Sequence, residues 1–161
     1  VKSQADQDAI WEALNDDRID ILATDHAPHT ITEKENNYFN APSGGPLVQH
    51  AVLAILEKSK EGKISLERAV EKMSHAPAQC FNIQNRGYIR EGYFADLVVV
   101  NPDTTLTVEK ENILYKCGWS PFEGFTFSHS IDTTFVNGKI VYTDNKLVEG
   151  NTGKRMTFDV K

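Results

Sequence analysis

Cysteine is scarce in this chain: Cys80 and Cys117 are the two in 161 residues. They form no Cys-x-x-Cys pair, which excludes a zinc ribbon and a dithiol redox motif, and they read as free thiols of a reducing cytoplasm. Long apolar runs are missing as well. None reaches the roughly 20 residues of a membrane span, and no signal peptide is visible after Val1. Positive charge is in deficit, with 17 Lys+Arg against 23 Asp+Glu and a formal net charge of -6. That argues against nucleic acid, which calls for a basic patch. There is no Ser-His-Asp arrangement, phosphate loop, zinc-finger spacing or His-x-His pair, so the chain does not itself supply the usual histidine ligands of a hydrolytic metal site. There is no internal repeat and no low-complexity tract. What remains is ordinary globular composition, 40% hydrophobic and 25% charged, long enough for one domain with a core.

Ser3 and Asp6 open a helix, Ile10, Trp11 and Leu14 give it one apolar face, and Asn15-Asp16-Asp17 ends it. Ile19 to Thr24 has strand character. Asp25 to Gly45 is a long loop holding Pro28, Asn36-Asn37 and Pro42-Ser43-Gly44-Gly45-Pro46, with Tyr38-Phe39 favouring a packed loop. Leu47 to Lys60 predicts an amphipathic helix, with Leu47, Ala51, Ala54 and Ile55 on its stripe. A helix from Ser65 to about Met73 is broken by Ser74-His75-Ala76-Pro77, and a short one follows to about Phe81. Beyond Asn82 the character changes to strands and turns. Ala95 to Val100 reads as a buried strand, Thr104 to Val108 alternates, and Ile131 to Thr143 is a hairpin turning at Asn137-Gly138. Residues 1–82 therefore look like the tail of a β/α structure and residues 83–161 like part of a sheet module. A single βα unit cannot cover a sheet on both faces, so the expectation is a piece of a larger α/β protein.

The chemistry collects at Thr24-Asp25-His26-Ala27-Pro28-His29, where a strand opens into a loop. A carboxylate at a strand end can bind a divalent metal or take a proton from water; the competing reading of Asp25 is a turn cap. Pro28 stiffens the path to His29, which suits an anion binder. His26 is read as scaffold, because neighbours on an extended chain face opposite ways. Gly44-Gly45 lets backbone approach a ligand, or is an ordinary turn. His50 and His75 are read as helix-end residues, and His129 is given no role.

The stretch Thr24 to His29 resembles the last-strand signature of dihydroorotases, members of the amidohydrolase superfamily. The similarity continues through Thr30, Glu33-Lys34, Ala41-Pro42 and Gly44. It extends to Ala76-Pro77-Ala78, to Gly87-Tyr88-Ile89-Arg90-Glu91-Gly92-Tyr93-Phe94-Ala95-Asp96-Leu97-Val98, to Ser120-Pro121-Phe122 and to Val136 through Val141. Where family members commonly carry Gly-hydrophobic-Glu-Thr, this chain has Leu47-Val48-Gln49-His50, the mark of a divergent branch. The resemblance implies the C-terminal part of a (β/α)8 TIM-type metal-dependent hydrolase barrel, residues 1–82, plus part of a β-sandwich, residues 83–161. It implies that Asp25 ends the last strand, binds zinc and serves as general base. It further implies that His29 holds the substrate carboxylate and that the backbone at Ser43 and Gly44 contacts the ring.

The implied reaction is the reversible hydrolysis of dihydroorotate to N-carbamoyl-L-aspartate in pyrimidine biosynthesis. One or two zinc ions would take most of their ligands from outside this chain. The resemblance also implies a cytoplasmic homodimer acting on a small molecule, with no nucleic-acid or membrane partner. Two other readings stand beside it: a non-catalytic dihydroorotase-like assembly protein, and a cyclic amidohydrolase of allantoinase or hydantoinase type.

Overall fold

The computed structural model describes residues 3–150 and 153–159. Two compact units are present. One draws on Val1–Ala23, Lys58–Val100 and Ile131–Lys161, the other on Thr24–Glu57 and Asn101–Ser130.

In the first unit, helix α1 spans Gln4–Asn15. Ser3 caps it, its hydroxyl accepting from the Asp6 N–H while the Asp6 carboxylate accepts from the Ser3 N–H. Both arms of the capping box form even with the shorter Asp in place of Glu. Of the expected face only Leu14 is buried; Ile10 is exposed. Helix α4, Leu66–Val70, starts at the Ser65 cap. The expected break at Ser74-His75-Ala76-Pro77 does not occur. The chain widens into a π-helical turn at Glu71–His75 and tightens again into helix α5, Ala76–Cys80, with Pro77 near its start. Gly87 is required here: at φ 81° its backbone lies so close to Ala78 and Ser74 that an added Cβ would come within 2.7 Å of the Ser74 carbonyl.

Lys72 is only 2% exposed. Its ammonium donates to Asp17 at 2.8 Å and to the Ile19 carbonyl at 2.6 Å, while Arg68 bonds Asp17 from the side at 2.9 Å. A buried lysine needs such compensation. The two cations hold the Asp17 carboxyl below its ordinary range, Lys72 having the larger effect. Asp17 itself sits at φ 68°, a left-handed conformation that aspartate tolerates. The Ile19–Thr24 run forms no sheet ladder among the described residues. Its interior bond is the Leu22 N–H to the Lys72 carbonyl, 3.0 Å. Strand propensity shows a chain ready to pair but cannot supply the neighbour.

Four strands complete this unit's sheet: β1 (Leu97–Asn101), β4 (Ser130–Val136), β5 (Lys139–Thr143) and β6 (Lys146–Leu147), in the order β1-β4-β5-β6. Asn137 and Gly138 at φ 52° and 78° make the mirror-image turn that matches strand twist, so the expected hairpin is present. A second pair, Asp144 and Asn145 at φ 51° and 59°, repeats the device and adds β6, which the sequence reading passed over. Strand β1 is not buried as expected: Val98 and Val99 are 47% and 46% exposed. An apolar run records what a strand could cover, and nothing among the described residues covers this one.

In the second unit, helix α2 (Ile31–Lys34) interrupts the expected loop. Thr30 and Glu33 form its capping box, a pattern readable in the sequence as Thr-x-x-Glu. Helix α3 is Ala51–Lys60, four residues shorter at its start than expected. The N–H groups of Leu47, Val48 and Gln49 are taken by side chains, and residues 48–50 form a turn ahead of the helix. The expected stripe is also rotated: Leu53 and His50 are the buried residues, while Val48 is exposed. Strands β2 (Leu106–Thr107) and β3 (Thr126–Phe127) pair antiparallel. Val108 and Phe127 are buried, and Phe127 packs against Phe125 at 4.8 Å and Phe122 at 5.4 Å between ring centroids.

Truncating Phe127 removes the fully buried ring of this cluster. Phe127→Ala is expected to cost about 3–5 kcal/mol, read as a lower urea midpoint by circular dichroism.

Candidate functional site

Asp25 lies at φ 45°, turning the chain out of its extended run. Aspartate adopts this left-handed region more readily than most residues. Its carboxylate is exposed and has no hydrogen-bond or ion-pair partner among the described residues, so it is not spent on capping the turn. His26, next to it, has the scaffold part expected of it. Its Nδ1 accepts from the Leu47 N–H at 3.0 Å and, more weakly, from the Val48 N–H at 3.4 Å. That acceptor role leaves the ring proton on Nε2. The backbone is tied alongside: the Ala27 N–H donates to the Gly45 carbonyl at 3.1 Å, in a parallel bridge between His26 and Gly45.

Gly44 has a structural reason independent of any ligand. At φ 98° it passes so close to Ala27 that a Cβ there would lie 2.6 Å from the Ala27 Cβ and 2.8 Å from its carbonyl oxygen. Ser43 is exposed. Lys34, at the end of α2, clamps the same turn from below, donating to the Pro42 carbonyl at 2.6 Å and the Gly44 carbonyl at 3.0 Å. The sequence reading named Lys34 only as part of a matching stretch. Its position eight and ten residues before its acceptors carries no pattern that reveals the clamp.

His29 is partly exposed and lies 3.8 Å from Glu33. Thr30, by its backbone N–H and its hydroxyl, holds the Glu33 carboxyl below its ordinary range, with a smaller contribution from His29. His29, His26, Glu33, Tyr115, Lys116 and Cys117 line a pocket of about 510 Å³. Asp25, Ser43 and Gly44 are not among its walls. The structure thus brings His29 and His26 together and keeps Asp25 on separate, exposed backbone.

His50 is the residue the sequence reading undervalued. It stands at the end of a helix as expected, immediately before α3, and is fully buried there. Its ring stacks on Phe127 and meets Tyr115 and Phe122 edge-on. Ser120 Oγ, which accepts from the Phe122 N–H, lies 3.1 Å from His50 Nδ1. His50 Nε2 is buried without a hydrogen-bond partner among the described residues. Burial lowers the His50 pKa below its ordinary 6.5, so the ring is neutral. Tyr115 is held beside it, its hydroxyl accepting from the Gln49 N–H at 2.8 Å, and burial raises its pKa.

The metal expectation can be tested on the donors present. Among the described residues no group of three or more His, Cys, Asp or Glu side chains could hold a metal ion. The free Asp25 carboxylate is one hard oxygen donor and not a complete site.

The amidohydrolase family pattern matches residues 2–141. This chain belongs to the amidohydrolase family. It is 41% identical over 145 residues to a dihydroorotase from Clostridium acetobutylicum, covering 89% of this chain and 34% of that protein. It is 40% identical over 124 residues to a dihydroorotase from Halobacterium salinarum, covering 77% and 29%. The chain therefore spans about a third of the length of the curated relatives it matches. Among solved structures, a dihydropyrimidinase from Brevibacillus agri superposes with a TM-score of 0.83 at 26% identity, covering 92% of this chain and 33% of that one. A D-hydantoinase from Thermus sp. gives 0.79 at 27%, covering 91% and 33%. This likeness bears out the expected α/β class, in which a TIM-type barrel is joined to a sheet domain. No helix among the described residues is long and apolar enough to cross a membrane.

Two outcomes follow from this geometry. A histidine buried neutral stabilises the fold fully above its unfolded pKa and progressively less as pH falls through about 6.5. The urea midpoint should therefore fall between about pH 7.5 and pH 5, and His50→Gln should flatten that slope. Lys34→Met removes a charged clamp worth roughly three- to tenfold in local opening. It should speed chymotrypsin cleavage at Tyr38-Phe39, which are 90% and 94% exposed, by that factor.

Proposed function

We propose that this chain forms part of a dihydroorotase, with residues 1–82 contributing to the barrel and residues 83–161 to the sheet domain. The reaction is the reversible hydrolysis of the cyclic amide of dihydroorotate to N-carbamoyl-L-aspartate. The observation that carries the reading is the Asp25 carboxylate, exposed and without a hydrogen-bond or ion-pair partner among the described residues, beside a His26 ring that is engaged. An acid kept out of every local hydrogen bond is available to chemistry. Relatives named dihydroorotase, at 40% and 41% identity, point the same way.

In this reading the Asp25 carboxylate accepts a proton from the attacking water and returns it to the leaving ring nitrogen. His29 binds the substrate carboxylate from its pocket. The exposed backbone at Ser43 and Gly44 meets the ring. A divalent cation, zinc on the resemblance, would supply Lewis-acid polarisation of the amide carbonyl when bound. Asp25 would give it one oxygen donor, and its other donors would come from outside the described residues. The same reading makes the protein a cytoplasmic homodimer acting on a small molecule.

A second reading, a hydantoinase-type enzyme, has the Brevibacillus agri and Thermus structures behind it. The two differ at His29. A substrate without a carboxylate has no use for an imidazole there.

The full-length gene product is expected to hydrolyse dihydroorotate and to prefer it to dihydrouracil, which lacks the carboxylate. Asp25→Asn suits the left-handed backbone, so it should fold normally and lose at least about a thousandfold in kcat. His29→Ala should raise KM for dihydroorotate about tenfold or more with a smaller change in kcat. Preference for dihydrouracil would favour the second reading. Wild-type turnover by Asp25→Asn would remove Asp25 from the chemistry.

A further inference from the structure

Trp119 bonds the backbone of His29 and lies near Gly45, the residue after the proposed Ser43 and Gly44 contacts. Its indole N–H donates to the His29 carbonyl at 2.7 Å, across 90 residues of sequence. The far edge of the same ring, Cη2, lies 3.8 Å from where a Cβ on Gly45 would stand. A single rigid side chain therefore spans from the His29 backbone to the Gly44-Gly45 turn.

The backbone around His29 is constrained on two sides already. Pro28 fixes its own φ before it, and the Thr30–Glu33 capping box locks the residue after it. Those restraints already hold the N–H side of the peptide plane joining His29 to Thr30, where Thr30 donates to Glu33 at 2.7 Å. The Trp119 bond falls on the carbonyl of that plane. Held at both its N–H and its carbonyl, that plane restrains the backbone rotation that would carry the His29 Cα away from its place beside the pocket. A partly buried indole N–H needs some acceptor. Any carbonyl would satisfy it, and this one belongs to the residue whose side chain lines the pocket.

We infer that Trp119 is a positioning residue for His29, setting the imidazole against the carboxylate of a cyclic amide substrate. The inference rests on the reading of His29 as the carboxylate anchor. It predicts an effect on substrate binding carried by the N–H, separable from the packing supplied by the ring.

The test uses steady-state kinetics of the full-length gene product with dihydroorotate. Trp119→Phe keeps an aromatic ring and removes the donor. It should raise KM about three- to tenfold, as expected for one lost hydrogen bond, with kcat within about twofold. Replacing Trp119 by 3-benzothienylalanine, which puts sulfur in place of N–H at nearly unchanged shape, should do the same if the Phe variant folds poorly. The double variant His29→Ala with Trp119→Phe should match His29→Ala alone, because Trp119 acts through His29. An unchanged KM in the benzothienyl variant, or a double variant whose KM rises by the product of the two single effects, would overturn the inference. A normal KM in His29→Ala would instead overturn the anchor reading, and the inference with it.

Discussion

The lone pair of the His26 ring, together with the neighbouring backbone bridge, holds two distant stretches of chain side by side. His26 Nδ1 takes the Leu47 N–H, and the Ala27 N–H takes the Gly45 carbonyl one step away. Neither bond is strong alone, since each exchanges a hydrogen bond with water for one within the protein. Their effect is geometric. They bring residues 24–29 against residues 42–48, and the other features of the candidate site are consequences of that approach.

Gly44 has to be glycine because Ala27 then lies too close for a Cβ. The N–H groups just ahead of helix α3 are engaged by His26 and by Tyr115. Lys34 and Trp119 close the arrangement from two further directions, one on the carbonyls flanking Ser43 and one on the carbonyl of His29. The Asp25 carboxylate has no partner in this network among the described residues. A site whose scaffold groups are satisfied and whose acid is not is organised before its ligand arrives, which saves ordering cost on binding. It also divides the work within one hexapeptide: His26 builds, while Asp25 and His29 face outward.

Local signals in the sequence were legible where the physics is local. The Ser3 cap, the Asn137-Gly138 hairpin and the position of Pro77 depend on residues within a turn of each other, and each stands as expected. The Thr30–Glu33 box had the same kind of signal. Burial was less legible. Val98 and Val99 carry the composition of a buried strand and remain exposed, because cover depends on other chain segments. His50 reads as polar and is the most enclosed side chain of an aromatic cluster assembled from residues 115–127. The contacts made by Lys34 and Trp119 were not legible at all. A carbonyl acceptor has no residue type, so no sequence pattern announces which backbone oxygen a side chain will find. Asp25 and His29 stood out because their chemistry resides in their side chains.

Amide hydrogen exchange at Ala27 and Leu47 tests the central claim most directly, because those two N–H groups form the strap between the segments. The account predicts that both exchange far more slowly than the exposed amides at Asn36 and Asn37, by at least about a hundredfold in protection, and that His26→Ala abolishes the difference at Leu47. Exchange of Ala27 and Leu47 at the rate of open loop in the wild-type protein would contradict it.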